Sequence, residues 1–488
     1  MGFQPEVRED RPPSASQEAS PSRGGPLTVI VACAFFMEML DSTVIVTALP
    51  QMAESFGTEP VDLSLGLSAY LLALAIFVPA SGWIAGRFGA RSVLCAAILL
   101  FTAASAGCGL SHTLWQFVLA RILQGVGASL MSPVGRIAVL RITEKKDLVR
   151  TLNFLTFPGL IGPLLGPPLG GFITTYGSWR WIFYLNLPFG LIGALLILRF
   201  LGRAASNTPP RRFDGIGFLL NGTSLAAILY GLEMAGRPAS DRRLGLALAA
   251  AGAALAAFTW RRAIRHPHPL IDLSARLIPT YLVANAGGTL FRLAVAAPIF
   301  LLPLFLQLGL GMSAFTAGLL ILGHTAGDFG TSAVTTRTIR RFGFRTVLIT
   351  TALAFGAAIA ACTLLEPGTP YWMILILLLA TGICRSLHMA ALSSLQFADI
   401  PAPLIADTST LSTMLQQVTR GVAIAFAAIL LTLAMALRGG DRLEMSDFRV
   451  ALLVTACIAC ASVVSYLRLH GTTASEVSGH RPIGDAQP

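Results

Sequence analysis

Long apolar runs alternate with short polar segments along the whole chain. A helix needs about 20 mostly apolar residues to cross the hydrocarbon core of a bilayer. We place windows of this kind at residues 27–49, 63–85, 92–110, 115–140, 151–176, 181–202, 214–236, 243–262, 281–308, 314–336, 345–365, 371–396, 408–436 and 449–469. The pattern predicts an all-α polytopic membrane protein with about fourteen transmembrane helices.

The composition supports a membrane environment. Of the 488 residues, 54% are hydrophobic and 12% are charged, and the mean hydropathy is +0.71. Soluble domains carry about 25% charged residues, so this chain has too few charges to cover the surface of a water-soluble fold. We therefore expect the lipid bilayer to be its solvent and principal partner.

The basic residues indicate topology rather than nucleic-acid binding, despite a net charge of +11. Most of the 35 Lys and Arg residues lie in alternating loops, on the side of the membrane that holds the N-terminus. Because cytoplasmic loops are enriched in Lys and Arg, we expect both termini in the cytoplasm. Arg242 and Arg243 are the main exception, because this topology places them in an outer loop.

Several classes of function have no support in the sequence. Lysine occurs only at Lys145 and Lys146, so a phosphate-binding loop of the G-K-[ST] type is absent. The seven cysteines are scattered and suggest no disulfide framework, and we interpret Cys457 and Cys460 as small residues that pack between helices. We expect no enzyme activity, no cofactor and no metal site.

An eight-residue motif recurs in the chain and divides it into halves. Residues 87–94 read R-F-G-A-R-S-V-L, and residues 341–348 read R-F-G-F-R-T-V-L. Each copy joins the second and third helices of a six-helix block. We predict a cytoplasmic disordered tail, a six-helix bundle, a linker with two extra helices, a second six-helix bundle and a second cytoplasmic tail, at residues 1–26, 27–202, 203–280, 281–469 and 470–488.

Several ordered motifs resemble the major facilitator superfamily, in particular its fourteen-helix drug–proton antiporters of the EmrB/QacA type and, within them, MdtD-like transporters. They are L-D-S-T-V-I-V-T-A-L-P at 40–50, G-W-I-A-G-R-F-G-A-R at 82–91, R-I-L-Q-G-V-G at 121–127, G-P-L-L-G-P-P-L-G-G at 162–171, W-R-W-I-F-Y-L-N-L-P at 179–188 and R-F-D at 212–214. The resemblance spans nearly all of residues 27–469. It implies a place in the bacterial inner (plasma) membrane, alternating access and proton-coupled export of small organic compounds. Some relatives require a periplasmic adaptor protein, and the short outer loop at 438–449 leaves open whether one attaches here.

Two groups of residues are expected to act in gating. Gly162, Gly166 and Gly170 recur every four residues, which leaves one helical stripe without side chains and admits a close neighbouring helix. Pro167 has no backbone N–H to donate and should bend the same helix, close to Gly171. We expect a tight contact between the halves here; ordinary helix packing is the alternative.

The loop motif after the second helix contains Arg87, Gly89 and Arg91. Gly86 stands where the family usually has Asp. This loop therefore lacks the acid of the Asp–Arg ion pair that would hold the cytoplasmic side closed. The two arginines serve either gating or topology.

Charged residues inside the apolar windows are the candidates for function, because each costs about 2.5–3.5 kcal/mol at the centre of an isolated helix. Glu38 and Asp41 are three residues apart, so they share a helical face. Crowding and dehydration of two carboxylates favour proton uptake by at least one of them. We expect Asp41 and Glu38 to be the proton carriers, with a structural role as the alternative for each. Arg121 is the candidate coupling cation; a purely structural ion pair is the alternative.

The remaining candidates would line the substrate pathway. They are Gln124, Arg292, Asp328, Arg385, His388 and Arg420. Intramembrane arginines outnumber the acids, which favours, as an alternative cargo, an organic anion or a metal chelate such as a citrate complex. A non-transporting membrane sensor is the alternative from another class of function.

Overall fold

The computed structural model of the chain describes residues 24–142, 148–201, 213–236, 241–266, 269–270, 273, 278–401 and 404–467, and these residues contain helices but no strand. In chain order the helices are α1 Gly24–Val44, α2 Leu49–Phe56, α3 Ser64–Phe88, α4 Ala90–Leu110, α5 Leu114–Ile142, α6 Leu148–Tyr176, α7 Arg180–Tyr184, α8 Asn186–Phe200, α9 Gly215–Gly236, α10 Arg242–Arg265, α11 Pro279–Leu304, α12 Ala314–Gly330, α13 Ser332–Cys362, α14 Tyr371–Phe397, α15 Ile405–Arg438, α16 Met445–Ala461 and α17 Val463–Tyr466.

The helices fall on the apolar windows. Among the described residues, 12 helical spans are long and apolar enough to cross a membrane. The two other predicted windows, 151–176 and 314–336, are also helical and correspond to α6 and to α12 with the first part of α13. In the second window the two helices are separated only by Thr331, which keeps a right-handed helical conformation. The all-α membrane fold is confirmed.

The repeated motif forms the same turn in both halves. Gly89 separates α3 from α4 with φ = 81°, and Gly343 interrupts α13 with φ = 74°. Side chains with a Cβ rarely adopt this region, so glycine suits the turn. Arg87 is exposed beside the first turn, and the Arg91 guanidinium donates a hydrogen bond to the carbonyl of Leu198 in α8.

The chain forms two bundles with a pair of helices outside them. Helices α1–α8 pack together, as do α11–α17. Between them in sequence, α9 lies against α3 of the first bundle and α15 of the second, and α10 packs along α9. The predicted tails, 1–26 and 470–488, lie outside the described residues except for the first three residues of α1.

The bundles meet at the ends of α6 and α12 that lie away from the chain termini. The Phe315 ring of α12 is 6.0 Å, centroid to centroid, from both Phe172 and Tyr176 of α6. The Phe315 backbone N–H donates to Thr175 Oγ1 at 3.0 Å. Helices α3 and α15 form the second contact between the bundles.

Near the middle of the molecule the bundles are less tightly packed. Arg420 lies at mid-length in α15 and is exposed, although it interacts electrostatically with Tyr70 of the first bundle and Arg385 of the second. Exposure of a residue placed between both bundles indicates an interior space. The molecule is therefore closed at one end of the bundles and contains a gap at its centre.

Candidate functional site

Asp41 lies at the meeting point of three helices of the first bundle. Its carboxylate is buried in α1, and Oδ2 accepts a hydrogen bond from Arg121 Nη1 of α5 at 2.6 Å. Oδ1 accepts from Gln124 Nε2 at 2.8 Å and from Asn186 Nδ2 of α8 at 3.1 Å. Three donors thus surround one carboxylate.

The helical spacing of these residues explains their convergence. Arg121 and Gln124 are three residues apart on α5 and so share a face. Arg121 Nη1 also donates to Gln124 Oε1 at 2.7 Å, which turns the amide nitrogen toward Asp41. The Asn186 amide donates to Ser105 Oγ at 3.0 Å as well, and this second bond fixes its orientation.

An aromatic ring covers the guanidinium of Arg121. Its Cζ lies 4.2 Å from the centroid of the Tyr70 ring, within the range of a cation–π interaction. Nε and Nη2 of Arg121 have no hydrogen-bond partner among the described residues. Because removing one member of a buried ion pair costs about 3–5 kcal/mol, any loss of charge on Asp41 requires a new partner for this arginine.

Glu38 and Asp41 contact different parts of α5. Glu38 is buried one turn before Asp41, and its carboxylate accepts a hydrogen bond from the hydroxyl of Ser132. Arg136 interacts with it electrostatically. The two carboxylates that were expected to act together therefore occupy neighbouring positions with separate partners.

Two cavities adjoin this network at the boundary between the bundles. The first, of about 330 Å³, is lined by Arg121 and Tyr70 from the first bundle and by Phe300 and Ile424 from the second. The second, of about 690 Å³, is mostly apolar and includes His324 and Arg385. Val46 and Ile299 line both, so the cavities are adjacent.

An ion pair of the second bundle borders the larger cavity. The Arg385 guanidinium of α14 is paired with the Asp328 carboxylate of α12. The hydroxyl of Ser386 donates to the Asp328 carbonyl at 2.8 Å. His324 Nδ1 lies 2.8 Å from Thr381 Oγ1, so its ring is held beside the cavity.

Two of the predicted pathway residues are buried within the second bundle. Arg292 Nη2 donates to Gln396 Oε1 at 3.1 Å. The His388 ring nitrogens lie 2.9 Å from Thr351 Oγ1 and 3.0 Å from Tyr466 Oη. The structure thus places Gln124 beside Asp41 and Arg385 at the larger cavity, where Asp328 is its ion-pair partner. Arg420 lies in the central gap.

The glycine stripe of α6 packs against α1 rather than against the second bundle. A Cβ added at Gly162 would lie 2.6 Å from Met39 Cβ, and one added at Gly166 or Gly170 would contact Thr43 or Val44. The prediction of a contact between the halves was therefore wrong for this stripe. The three glycines face the nearest helix of their own bundle, which adjoins them along the whole stripe.

Gly171 makes the contact between the halves instead. A Cβ added there would lie 2.8 Å from the Phe315 Cα, and the Pro167 carbonyl lies directly against Gly318 of α12. Gly171 follows the stripe by one residue, which rotates it about 100° around the helix axis, onto a different face of α6. The two faces of α6 therefore serve different contacts.

The sequence interpretation missed three residues of the site. Asn186 stood in a quoted motif, but no role was assigned to it, although an amide inside an apolar run is a usable signal. Ser132 and Tyr70 gave no such signal, because serine and tyrosine are common in membrane helices. Their roles emerge only from the packing of α1, α3 and α5.

A fold of two helical bundles around central cavities, with buried ionisable groups at their boundary, defines a secondary transporter. Comparison with known proteins agrees. The family model for the Major Facilitator Superfamily matches residues 31–424. The chain belongs to this superfamily and is a multi-pass membrane transporter, not an enzyme.

Relatives and solved structures extend this likeness. The chain is 37% identical over 410 residues to the "Putative multidrug resistance protein MdtD" of Salmonella paratyphi B, covering 82% of this chain and 85% of the relative. The protein of the same name from Pectobacterium atrosepticum is 36% identical over 408 residues, covering 82% and 86%.

Among solved structures, an auto-inhibited POT family peptide transporter has a TM-score of 0.65 at 17% identity and covers 95% of this chain and 98% of its own. A D-xylose–proton symporter has a TM-score of 0.63 at 15% identity, covering 93% and 99%. These structures show the shared fold.

Proposed function

We propose that the protein exports small, amphipathic organic compounds from the cell in exchange for protons, by alternating access. Asp41 carries the proton, Arg121 couples proton release to substrate entry, and Glu38 is a neighbouring carrier. The observation that carries the proposal is the hydrogen-bonded contact of buried Asp41 with Arg121 beside a cavity that both bundles line.

The chemistry follows from this contact. Substrate that enters the adjoining cavity from the cytoplasm brings Arg121 against the protonated Asp41, and the positive charge of the guanidinium expels the proton. After the substrate leaves on the other side of the membrane, Asp41 takes up a proton from that side and Arg121 separates from it, so that proton and substrate occupy the site in turn. Each proton that enters supplies about 2.3 kcal/mol per 100 mV of membrane potential, in addition to the pH gradient.

The larger cavity suits the proposed cargo. Proline, valine, isoleucine and leucine side chains form most of its wall, and Arg385 and His324 add polar groups. The name of the MdtD relatives supports drugs as one class of substrate.

The orientation of the transporter follows from its loops. With both termini in the cytoplasm of a bacterial inner membrane, the contact between α6 and α12 closes the external side. The structure then corresponds to a state whose central gap is directed toward the cytoplasm. A periplasmic adaptor remains a prediction from the family resemblance.

Proton flux in proteoliposomes tests the proposal. Purified protein is reconstituted with a pH-sensitive dye inside the vesicles, and a panel of hydrophobic cations, neutral drugs and organic anions is added. We expect at least one compound to drive proton movement in the wild type, and Asp41→Asn to abolish that movement at equal expression. Proton flux of wild-type size in Asp41→Asn would contradict the role of Asp41.

An organic anion or metal chelate is the second candidate cargo. Arg420 is exposed in the central gap, and the positive charges of Arg385 and Arg292 repel it. Asp328 pairs with Arg385. A cavity with this excess of positive charge favours a carboxylate substrate. In the same panel, coupling by citrate-like anions and not by hydrophobic cations would support this candidate.

A further inference from the structure

We propose that His324 selects the substrate in the larger cavity by accepting a hydrogen bond from it, and that the cavity takes neutral compounds with an O–H or N–H group on an apolar body. This inference rests on the proposed export function and names the class of cargo for the same site. It assigns a role to a ring of α12 that lies beside the ion pair of Asp328 and Arg385.

The hydroxyl of Thr381 determines which nitrogen of the His324 ring carries a hydrogen. Thr381 Oγ1 donates to the carbonyl oxygen of Leu378 at 2.6 Å, and a hydroxyl has only one hydrogen to donate. Thr381 must therefore accept in its other contact, at 2.8 Å from His324 Nδ1, so Nδ1 carries the hydrogen. In a neutral imidazole of this form, Nε2 is an acceptor.

The Nε2 atom of His324 is left for a ligand. Among the described residues, the ring makes one hydrogen bond, through Nδ1 to Thr381. The ring lines the larger cavity, and Nε2 is not one of the unpartnered polar atoms that the surrounding protein encloses completely. Because a polar atom removed from water without a partner costs free energy, this position favours a ligand that brings a hydrogen to Nε2.

The packing of α12 on α14 holds the ring in place. A Cβ added at Gly382 would collide with the carbonyl oxygen of His324, so the two backbones are in direct contact beside the ring. Asp328 follows His324 by one turn of α12, and Arg385 follows Thr381 by one turn of α14, so the ion pair is the next link between the same faces. An acceptor that is already oriented loses little freedom when a ligand binds, which strengthens its selectivity.

The other hydroxyl groups of the cavity wall have no hydrogen to offer a ligand. Thr43, Thr47 and Thr325 each donate to a carbonyl oxygen of their own helix, at distances of 3.0–3.2 Å. Among the described side chains that line this cavity, the remaining donor is Arg385, whose positive charge acts on His324. The cavity therefore presents a fixed acceptor close to a cationic donor.

These two groups define the chemistry of the ligand. A neutral hydroxyl donates to His324 Nε2 through its hydrogen and can accept from the Arg385 guanidinium through its oxygen. A carboxylate has acceptors only, so its oxygens would face the lone pair of Nε2, and a cationic group would be repelled by Arg385. At this cavity the geometry therefore favours an uncharged donor over an organic anion or a hydrophobic cation.

Three naphthalene derivatives of similar size test this selection. 2-Naphthol has a neutral hydroxyl at about pH 8, because phenolic groups titrate near pH 10, whereas 2-methoxynaphthalene lacks the hydrogen and 2-naphthoate is an anion. Equilibrium dialysis measures their binding to the full-length protein in detergent micelles at about pH 8, above the ordinary histidine pKa of about 6.5. Empty micelles correct for partitioning of each probe into detergent.

Two substitutions address the two ends of the hydrogen-bonded ring. His324→Phe removes the acceptor and keeps an aromatic ring, whereas Thr381→Val removes the hydroxyl that holds the hydrogen on Nδ1. His112→Phe makes the same exchange of side chains at an exposed position before α5, away from the cavity, and is the matched control.

We expect the wild type to bind 2-naphthol about fivefold more tightly than 2-methoxynaphthalene, the effect of one hydrogen bond, and more tightly than 2-naphthoate. His324→Phe should abolish this preference. Thr381→Val should lower it as well, because the ring hydrogen is then free to move to Nε2, and the double variant should show no further loss. His112→Phe should keep the wild-type preference. A ratio of two affinities is unaffected by a loss of folded protein, so a purely structural role of His324 would leave it unchanged.

Three results would overturn the inference. One is equal binding of 2-naphthol and 2-methoxynaphthalene to the wild type, or no binding of either above the micelle background. Another is a wild-type preference in His324→Phe or, if that variant binds neither probe, in Thr381→Val. The third is tighter binding of 2-naphthoate than of 2-naphthol, which would favour the anionic cargo.

The proton-flux assay in proteoliposomes distinguishes failure of this inference from failure of the proposed function. Proton flux driven by other compounds, without a preference for 2-naphthol in the binding assay, would refute the selection by His324 alone. A preference for 2-naphthol that depends on His324, without proton flux for any compound, would refute the proton-coupled export alone.

Discussion

At the scale of single residues, the site shows how a charged pair is accommodated inside a membrane protein. Asp41 accepts hydrogen bonds from three side chains, and Arg121 stacks on Tyr70. The pair is neutral as a unit, so its burial costs less than that of two separate charges. Protonation of Asp41 disturbs this balance, which suits the proton exchange that we propose for this residue.

Tyr70 provides a test of the stacking, because its ring and its hydroxyl have separate environments. The ring covers Arg121, whereas the buried hydroxyl has no hydrogen-bond partner among the described residues. Tyr70→Phe should therefore leave transport within about twofold of wild type. Tyr70→Leu removes the aromatic face and should lower stability by about 1–2 kcal/mol, with slower transport.

Thermal unfolding and uptake assays on both variants check this prediction. Equal damage in Tyr70→Phe and Tyr70→Leu would show that the hydroxyl, and not the ring, supports Arg121.

At the scale of helices, α6 has two faces with different partners. Its glycines at 162, 166 and 170 admit α1 of the same bundle, and Gly171 admits α12 of the other bundle. The sequence pattern predicted a close neighbour correctly but not which helix it was. Glycine spacing reveals a smooth face, whereas the partner depends on how the helices are arranged around it.

A pair of glycine substitutions in α6 tests the contact with α1. A Cβ at Gly166 would contact Thr43, including its backbone carbon at 3.2 Å, while one at Gly159 meets no atom within 4 Å. Gly166→Ala should lower the free energy of unfolding by about 1–3 kcal/mol, and Gly159→Ala should not. Thermal unfolding in detergent measures both, and equal melting temperatures would contradict the packing.

An ion pair joins the N-terminal end of α9 to the C-terminal end of α10. Arg262 of α10 donates through Nη1 and Nη2 to both oxygens of Asp214, each at 2.8 Å. These hydrogen bonds from Arg262 hold the pKa of the Asp214 carboxyl below its ordinary value. A depressed pKa contributes stability above the unfolded-state pKa of about 3.9, and the contribution is lost as the pH falls through the folded-state value.

Asp214→Asn therefore has a defined pH dependence. We expect it to lower stability by about 1–2 kcal/mol and by equal amounts at pH 5 and pH 8, since Asp214 is ionised at both. Unfolding curves at the two pH values check this. A destabilisation that appears only at pH 8 would show that the carboxyl group is still protonated at pH 5.

At the scale of the whole molecule, much of the architecture could be predicted, because the bilayer imposes a fixed length and polarity on each helix. The R-F-G repeat predicted two halves, and both of its glycines adopt the same turn. The contacts of side chains inside the bundles could not be predicted. Arg292 and His388 appeared equivalent to Arg385 in sequence, yet they are buried in the second bundle, because hydropathy does not show which face of an apolar helix meets the cavity.

The contact at Gly171 is where the two bundles close on each other, so a substitution there should change conformation more than folding. A Cβ would collide with the backbone of Ala314 and Phe315 in α12. We expect Gly171→Ala to lower the fraction of molecules closed at this end by at least about fivefold, while each bundle stays folded. Pulsed electron paramagnetic resonance between spin labels at Ser55→Cys and Asp441→Cys, both exposed positions, measures this fraction. An unchanged distance distribution would contradict the assignment of this contact as a gate.

The central claim is that Asp41 exchanges a proton in each transport cycle, and a comparison of two transport modes tests it most directly. Vesicles containing wild type or Asp41→Asn are assayed for exchange of labelled against unlabelled substrate without a gradient, and for accumulation driven by a pH gradient. We predict that Asp41→Asn retains exchange and loses accumulation, because the cavity survives without its proton carrier. Accumulation by Asp41→Asn at the wild-type level would contradict the account.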